Sequence, residues 1–512
     1  MLAVGFGVLF IVLLLLILMW ISSMNRHWEK KGIKFSKPFP LLGNCLPMIL
    51  SKKSFTDIID DLYNAHPNEL VIGYYEFVSP KLIVRDLELA RKVLIKDFSY
   101  FVDHVSEMDN VAWDSQLFML SGNKWKALRL QMASIFTTGK LRTMYDSMPD
   151  IGKNLLQHLD NKVGNDIDIH ELMILFSMDM IGSTAFGIDV GSLNNPNSEI
   201  MQMGKKIIDV GFLSVMHFWL YLLYPKLGNK IGIPHVYREV NNYYSEILKN
   251  TINYRKANKI QRNDFIEMMI QLREKGKLEL KNLDPANDYL TSELVLNSPE
   301  MLNITDDLLM AQAHAVLTAG FESTSLLLTY TMVELCKNTD IQDIARREIM
   351  LQVKLNGGLT YDALKNMKYL DQVIKETQRF YPFTPVLMRI CTKDYTLADG
   401  YVLKKGDPLY IPVASIHKDP SIFPEPDSFK PERFEDSQQP TAFMAFGAGP
   451  RMCIAVKYTL LIMKYGLALL LMNYEVKLSP LTKLPIKFTN KKFGNCETEK
   501  ILFSFEKLVK EH

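Results

Sequence analysis

Apolar positions cluster most densely at the start of the chain. Met1 to Asn25 carries no charged side chain, and Leu2 to Ile21 is almost wholly apolar, interrupted only by Gly5 and Gly7. As a helix rising about 1.5 Å per residue, that stretch spans roughly 30 Å, the thickness of a bilayer core. Arg26, Lys30 and Lys31 follow it, and positive charge on that flank puts the rest of the chain on the cytoplasmic side. A cleaved leader would have a positive start, a shorter apolar stretch and a small-residue cleavage site. None is clear here, so residues 1–21 read as an uncleaved transmembrane anchor. Residues 22–44 read as a Pro/Gly-containing linker, stiffened by Lys37-Pro38-Phe39-Pro40.

Beyond the linker the pattern changes. Leu70 to Phe77 and Lys81 to Arg85 predict two strands around Ser79-Pro80, and Tyr395 to Val413 a second β-rich patch with turns at Ala398-Asp399-Gly400 and Lys405-Gly406-Asp407. Most of the rest has helical periodicity. One helix surrounds Trp125 and Arg129. Another starts after Thr305, a good N-cap, with Asp306 and Asp307 where the helix dipole favours acids, and runs to about Lys337. A third covers Tyr369 to Tyr381 and stops at Pro382. Phe212 to Leu227 is apolar and aromatic but too short to span; it reads as a core helix or as a loop dipping into a membrane beside a substrate entrance. No repeat or flexible divider is visible. The expectation is one mainly α domain with small β-sheets over residues 45–512.

Composition narrows the function classes. The 512 residues are 48% hydrophobic and 23% charged, with net charge +2, too near neutral to suggest a nucleic-acid partner. The five cysteines (Cys45, Cys336, Cys391, Cys453 and Cys496) are odd in number and widely spaced, which is no disulfide framework.

One of these cysteines has chemical context. In Phe446-Gly447-Ala448-Gly449-Pro450-Arg451-Met452-Cys453-Ile454-Ala455, Gly and Pro force a loop, and Ile454 to Leu471 has helical composition. Cys453 therefore sits at a loop-to-helix junction, where free backbone N–H groups and the dipole stabilise a thiolate. The segment resembles the haem-binding loop of the cytochrome P450 family, with Phe446, Gly449, Arg451, Cys453 and Ala455 in its fixed slots; Ala455 stands where Gly is more usual. The resemblance implies a cytochrome P450-type helical domain holding haem b, with Cys453 as axial thiolate ligand of the iron. Such a ligand pushes electron density toward the iron and favours O–O cleavage.

Further motifs occur in the family's order. Glu376 and Arg379 lie three residues apart on one helix face. The resemblance implies a buried structural network joining them to Arg433 in Pro426 to Phe434. Trp125 and Arg129, one turn apart, offer an indole N–H and a guanidinium fork suited to a carboxylate. The resemblance adds Arg389 and Arg451 to them as ligands of the haem propionates. Ala319-Gly320-Phe321-Glu322-Ser323-Thr324 looks like the oxygen-binding element. Ala319 and Gly320 lack bulk and let the helix approach haem, while Glu322 and Ser323 would relay protons, with Ser323 where Thr is usual. His314 reads as a partly buried helix histidine or as a cavity-lining residue.

The remaining expectations follow from the same resemblance. Substrate contacts fall in Phe101 to Met119, Phe212 to Trp219, His314 to Thr318, Phe383 to Leu387 and the region near Cys496, mostly apolar stretches suited to lipophilic molecules. Ala311-Gln312-Ala313 and Phe136-Thr137-Thr138-Gly139-Lys140-Leu141 look most like the insect microsomal detoxification branch, although Ser323, His314 and Lys457 depart from it. That implies a monooxygenase anchored in the endoplasmic reticulum, its catalytic domain facing the cytosol. It would insert one oxygen atom from O2 into xenobiotics or endogenous lipids. The chain has no nicotinamide or flavin fingerprint, so electrons would come from NADPH through a membrane-bound NADPH–cytochrome P450 reductase, with cytochrome b5 a further candidate partner. Lys126, Lys418 and Lys457 are candidate docking charges. Two alternatives stay open: a haem-thiolate isomerase or dehydratase, and a non-catalytic protein that binds haem and lipophiles.

Overall fold

The computed structural model describes residues 27–508 except 51, 105–114, 209–234, 280–300, 436–440, 485 and 487–499, together with scattered positions between 12 and 23. Most of the anchor, the 212–227 segment and the surroundings of Cys496 therefore lie outside the described residues.

The fold is mainly helical, and ten helices matter for the site. They are α1 (Phe55–Ala65), α2 (Gly122–Ala133), α3 (Ile169–Ile181), α4 (Glu199–Ile208), α5 (His235–Ala257), α6 (Asp306–Lys337), α7 (Thr339–Leu355), α8 (Lys368–Phe380), α9 (Val413–Lys418) and α10 (Val456–Asn473). The longest, α6, begins as its sequence predicts: Thr305 Oγ1 accepts the Leu308 N–H at 3.1 Å, and Asp306 and Asp307 occupy the first turn. It runs through the interior and packs on α3, α5, α8 and α10. A helix buried on nearly every side has no amphipathic pattern, and this one carries buried residues almost throughout. Among the described residues α10 is the helix long and apolar enough to cross a membrane, but it is mostly buried and forms part of the same core.

A four-stranded sheet flanks the helices. Its strands β1 (Val71–Glu76), β2 (Ser79–Val84), β4 (Leu387–Ile390) and β5 (Pro408–Ile411) lie in the order β1-β2-β5-β4. β2 and β5 are parallel, with Leu82 opposite Leu409; the other two pairs are antiparallel. A smaller sheet joins β6 (Tyr474–Leu478), β7 (Leu502–Lys507) and the short β3 (Ile167–Asp168). β4, which carries Arg389, lies outside the stretches that the residue pattern marks as β, as do the three strands of the smaller sheet. Trp28 and Ile33 are buried in the core beneath the larger sheet, and Asn44 exchanges hydrogen bonds with the backbone of Tyr75. Much of the 22–44 stretch thus lies against the domain.

Candidate active site

The Cys453 loop is held from three sides. Internally, the Cys453 N–H donates to the Phe446 carbonyl at 2.8 Å, and the Met452 N–H to the Gly449 carbonyl at 3.0 Å. From α2, Arg129 Nη2 donates to the Met452 carbonyl at 2.8 Å. From α9, His417 Nε2 accepts the Met444 N–H at 3.0 Å. Gly447 and Gly449 adopt φ of 76° and 68°, a left-handed region that disfavours other residues. α10 begins at Val456, placing Cys453 just ahead of its first turn.

Cys453 lies deep in the fold yet retains open surface, so it borders an internal space. The Ala455 amide favours the ionised sulfur, as expected of a backbone N–H at a loop-to-helix junction. The expected electrostatics are nevertheless reversed. Burial pushes the Cys453 thiol above its ordinary value, outweighing the Ala455 amide and the Arg129 charge. In such a site deprotonation is coupled to metal binding.

Beside this loop, cations gather. Trp125 is buried, with the Arg451 guanidinium 4.1 Å from its ring centroid and that of Arg129 at 5.9 Å. Arg451 Nε donates to the Val102 carbonyl at 2.8 Å and Nη2 to that of Leu120 at 2.6 Å, and Asp103 Oδ1 stands 3.5 Å away. Much of this guanidinium is thus committed to backbone, which the expected role as a propionate ligand did not anticipate. Arg389 differs. It is 1% exposed, its Nη1 reaches only the carbonyl of Met388, and its Nε has no hydrogen-bond partner among the described residues. Burial alone lowers its pKa. A guanidinium this desolvated calls for an anion, and the donor set as a whole suits carboxylates. His104 completes the cluster: its Nδ1 is 3.1 Å from the Phe118 carbonyl, and burial, followed by Arg389 and Arg451, holds its pKa well below the usual value. Nothing in the local sequence marked it, because Asp103 meets Ile390 only through a long-range bridge.

On α6, the less buried positions Ala315, Val316, Thr318, Ala319, Gly320, Glu322 and Ser323 share one side of an otherwise buried rod, with Gly320 at its edge. They mark a face that borders open space. Ala319 stands on it. Ser323 Oγ donates to the Ala319 carbonyl at 2.7 Å, so its proton is back-bonded and its lone pairs face outward. Gly320 also has a packing role: a Cβ there would come within 2.8 Å of Ile181 Cδ1 on α3, so its missing bulk admits a neighbouring helix. His314 is buried, and desolvation pushes its pKa down to about 4, leaving it neutral. Gln312 reaches across to the Leu117 N–H at 2.7 Å and to the Ser115 carbonyl, tying α6 to the chain ahead of α2.

The network predicted around Glu376 is assembled. Arg379 Nε and Nη2 donate to its two carboxylate oxygens at 2.8 and 2.9 Å, and Arg433 Nε to Oε1 at 3.2 Å. The Lys430 N–H adds 2.9 Å to Oε1, and Arg379 Nη1 donates to the His417 carbonyl at 2.8 Å. Because His417 also binds the Met444 backbone, the network connects to the Cys453 loop. One docking candidate is lost. Lys126 is 5% exposed and turned inward, while Lys418 and Lys457 are exposed.

The sequence profile of the Cytochrome P450 family matches residues 33–502. Cytochrome P450 9e2 of Blattella germanica is 33% identical, covering 96% of this chain and 95% of its own length. Cytochrome P450 6a8 of Drosophila melanogaster is 33% identical over 94% and 95%, and Probable cytochrome P450 6a14 of the same fly 34% over 94% and 95%. A match of that reach, on a helical fold that presents Cys453 from such a loop, means that this chain belongs to the cytochrome P450 family, the haem-thiolate monooxygenases, with insect members among its relatives.

Proposed function

We propose that the chain is a membrane-anchored microsomal monooxygenase that oxidises lipophilic molecules with electrons from NADPH, delivered by a membrane-bound reductase. The observation that carries this reading is Cys453, presented just ahead of α10 by a loop pinned through Phe446 and Arg129. Cys453 is the residue assigned to the iron, and Phe446, Gly449 and Arg451 shape the loop that presents it. When bound, haem supplies the iron at which dioxygen is activated for insertion into substrate. Trp125, Arg129, Arg389 and Arg451 are assigned to its carboxylates, a role supported most directly by the unpartnered Nε of Arg389. Glu322 and Ser323 are assigned to proton delivery from the less buried face of α6. The apolar run at residues 2–21 anchors the chain in the endoplasmic reticulum, with the catalytic domain in the cytosol.

The test is the spectrum of the reduced protein with carbon monoxide. The expected result is a Soret band strongly red-shifted from that of histidine-ligated haem, absent in Cys453→Ser, with NADPH consumed once reductase is added. A band at the histidine-type position in well-folded parent protein would overturn the assignment.

Arg389 gives a second test. Arg389→Met removes a desolvated charge that lacks an ion partner, so the haem-free protein should be as stable as the parent or more so. Haem should leave the variant faster. A lost charge-assisted hydrogen bond of about 1.5–3 kcal/mol corresponds to roughly 10- to 100-fold in affinity. Transfer of haem to an acceptor globin measures this, and unchanged retention would remove Arg389 from the carboxylate set.

A further inference from the structure

Glycine is a poor helix residue, yet Gly320 lies in mid-helix, and the space it leaves is filled. A Cβ there would sit 2.8 Å from Ile181 Cδ1 and 2.9 Å from Cγ1, both in a side chain that is 2% exposed. Three residues earlier on α3, Met178 fills the equivalent space at Gly204 of α4, where its Cε would be 2.7 Å from an added Cβ. α3 is thus keyed into two neighbours one turn apart. Immediately after Ile181, Gly182 is packed against Val190, and the chain turns into a π-helical segment, Gly182–Phe186. That end of α3 has little room to retreat, and a β-branched side chain in a helix has little rotamer freedom.

The consequence follows from helix geometry. At about 100° per residue, positions two before and two after Gly320 lie on nearly the opposite side of α6. They are Thr318 and Glu322, both on the less buried face. Ala319 lies about 100° and Ser323 about 60° from Gly320, so pressure at Gly320 moves the Thr318 and Glu322 side of α6 outward and carries Ala319 and Ser323 sideways with it.

We propose that Ile181 is a positioning residue for oxygen activation: seated at Gly320, it sets the position of α6 over the haem, and with it where Glu322, and to a smaller degree Ala319 and Ser323, stand. This rests on the monooxygenase reading. Ile181 touches neither substrate nor cofactor and acts only through α6.

The experiment is a size swap in the full-length, haem-loaded protein. Gly320→Ala should cut product formation by about 10- to 100-fold, the scale at which a displacement near 1 Å is felt, and weaken spectral binding of 4-phenylimidazole by a similar factor. Gly320→Ala combined with Ile181→Ala should recover most of both losses. Ile181→Ala alone should shift phenylimidazole affinity in the opposite direction, which keeps the proposal testable if Gly320→Ala fails to fold. A double variant no better than Gly320→Ala, or an Ile181→Ala variant with parental phenylimidazole affinity, overturns it. The red-shifted carbon monoxide band serves as the internal control. If it persists while the rescue fails, the positioning role fails alone; if the parent lacks it, the monooxygenase reading has failed first.

Discussion

Glu376→Ala is expected to abolish recovery of folded, haem-loaded protein. Glu376 and Arg379 are fully buried, and the carboxylate takes two bonds from Arg379, one from Arg433 and one from the Lys430 amide. Without it, the fully buried Arg379 guanidinium is left beside that of Arg433 with no carboxylate between them, in a medium that cannot hydrate it. Breaking a buried pair by removing one partner costs about 3–5 kcal/mol, a large part of the roughly 5–15 kcal/mol that holds a typical domain together. The damage would spread, because Arg379 also holds the His417 carbonyl, and His417 accepts the Met444 N–H ahead of the Cys453 loop. Arg433→Ala should cost much less: its side chain is 12% exposed and it gives the carboxylate a single 3.2 Å bond. Soluble yield, haem-to-protein ratio and denaturation midpoint report both variants. A Glu376→Ala protein that loads haem and melts close to the parent would show that the network is dispensable.

What could be read in the sequence was local. The Thr305 cap, the acids behind it and Lys337 fix both ends of α6 because capping chemistry spans only a few residues. The glycines of the Cys453 loop declare their backbone, and the Glu376–Arg379 spacing declares a shared helix face. What remained hidden depends on distant partners. Lys126 has an ordinary surface composition, and only the packing of α2 turns it inward. His104 is kept neutral first by burial and then by Arg389 and Arg451, hundreds of residues away. The glycine at 320 signals close approach, but not that a neighbouring helix is what comes close. The pKa of Cys453 went the same way: the helpful amide is local and legible, whereas the burial that outweighs it is a property of the whole fold.

The two loop glycines separate strain from collision. Both have positive φ, 76° at Gly447 and 68° at Gly449, so alanine at either costs about 1–2 kcal/mol in backbone strain. At Gly447 nothing lies closer than 3.5 Å to the added methyl. At Gly449 the methyl would land on the Leu94 carbonyl oxygen, 2.9 Å from its carbon and 3.3 Å from Ile95 Cα. Those atoms are backbone of the π-helical turn Lys92–Lys96 and cannot swing aside as a side chain would. Overpacking of this kind adds about 1–3 kcal/mol and must lift the loop, pulling Met452 from Arg129 and Cys453 from Phe446. Gly447→Ala should therefore keep the red-shifted carbon monoxide band with modestly reduced stability, while Gly449→Ala should lose most of it. Equal losses in the two variants would mean that the loop is governed by backbone conformation alone, and that its seat against the Lys92–Lys96 turn does not position the sulfur.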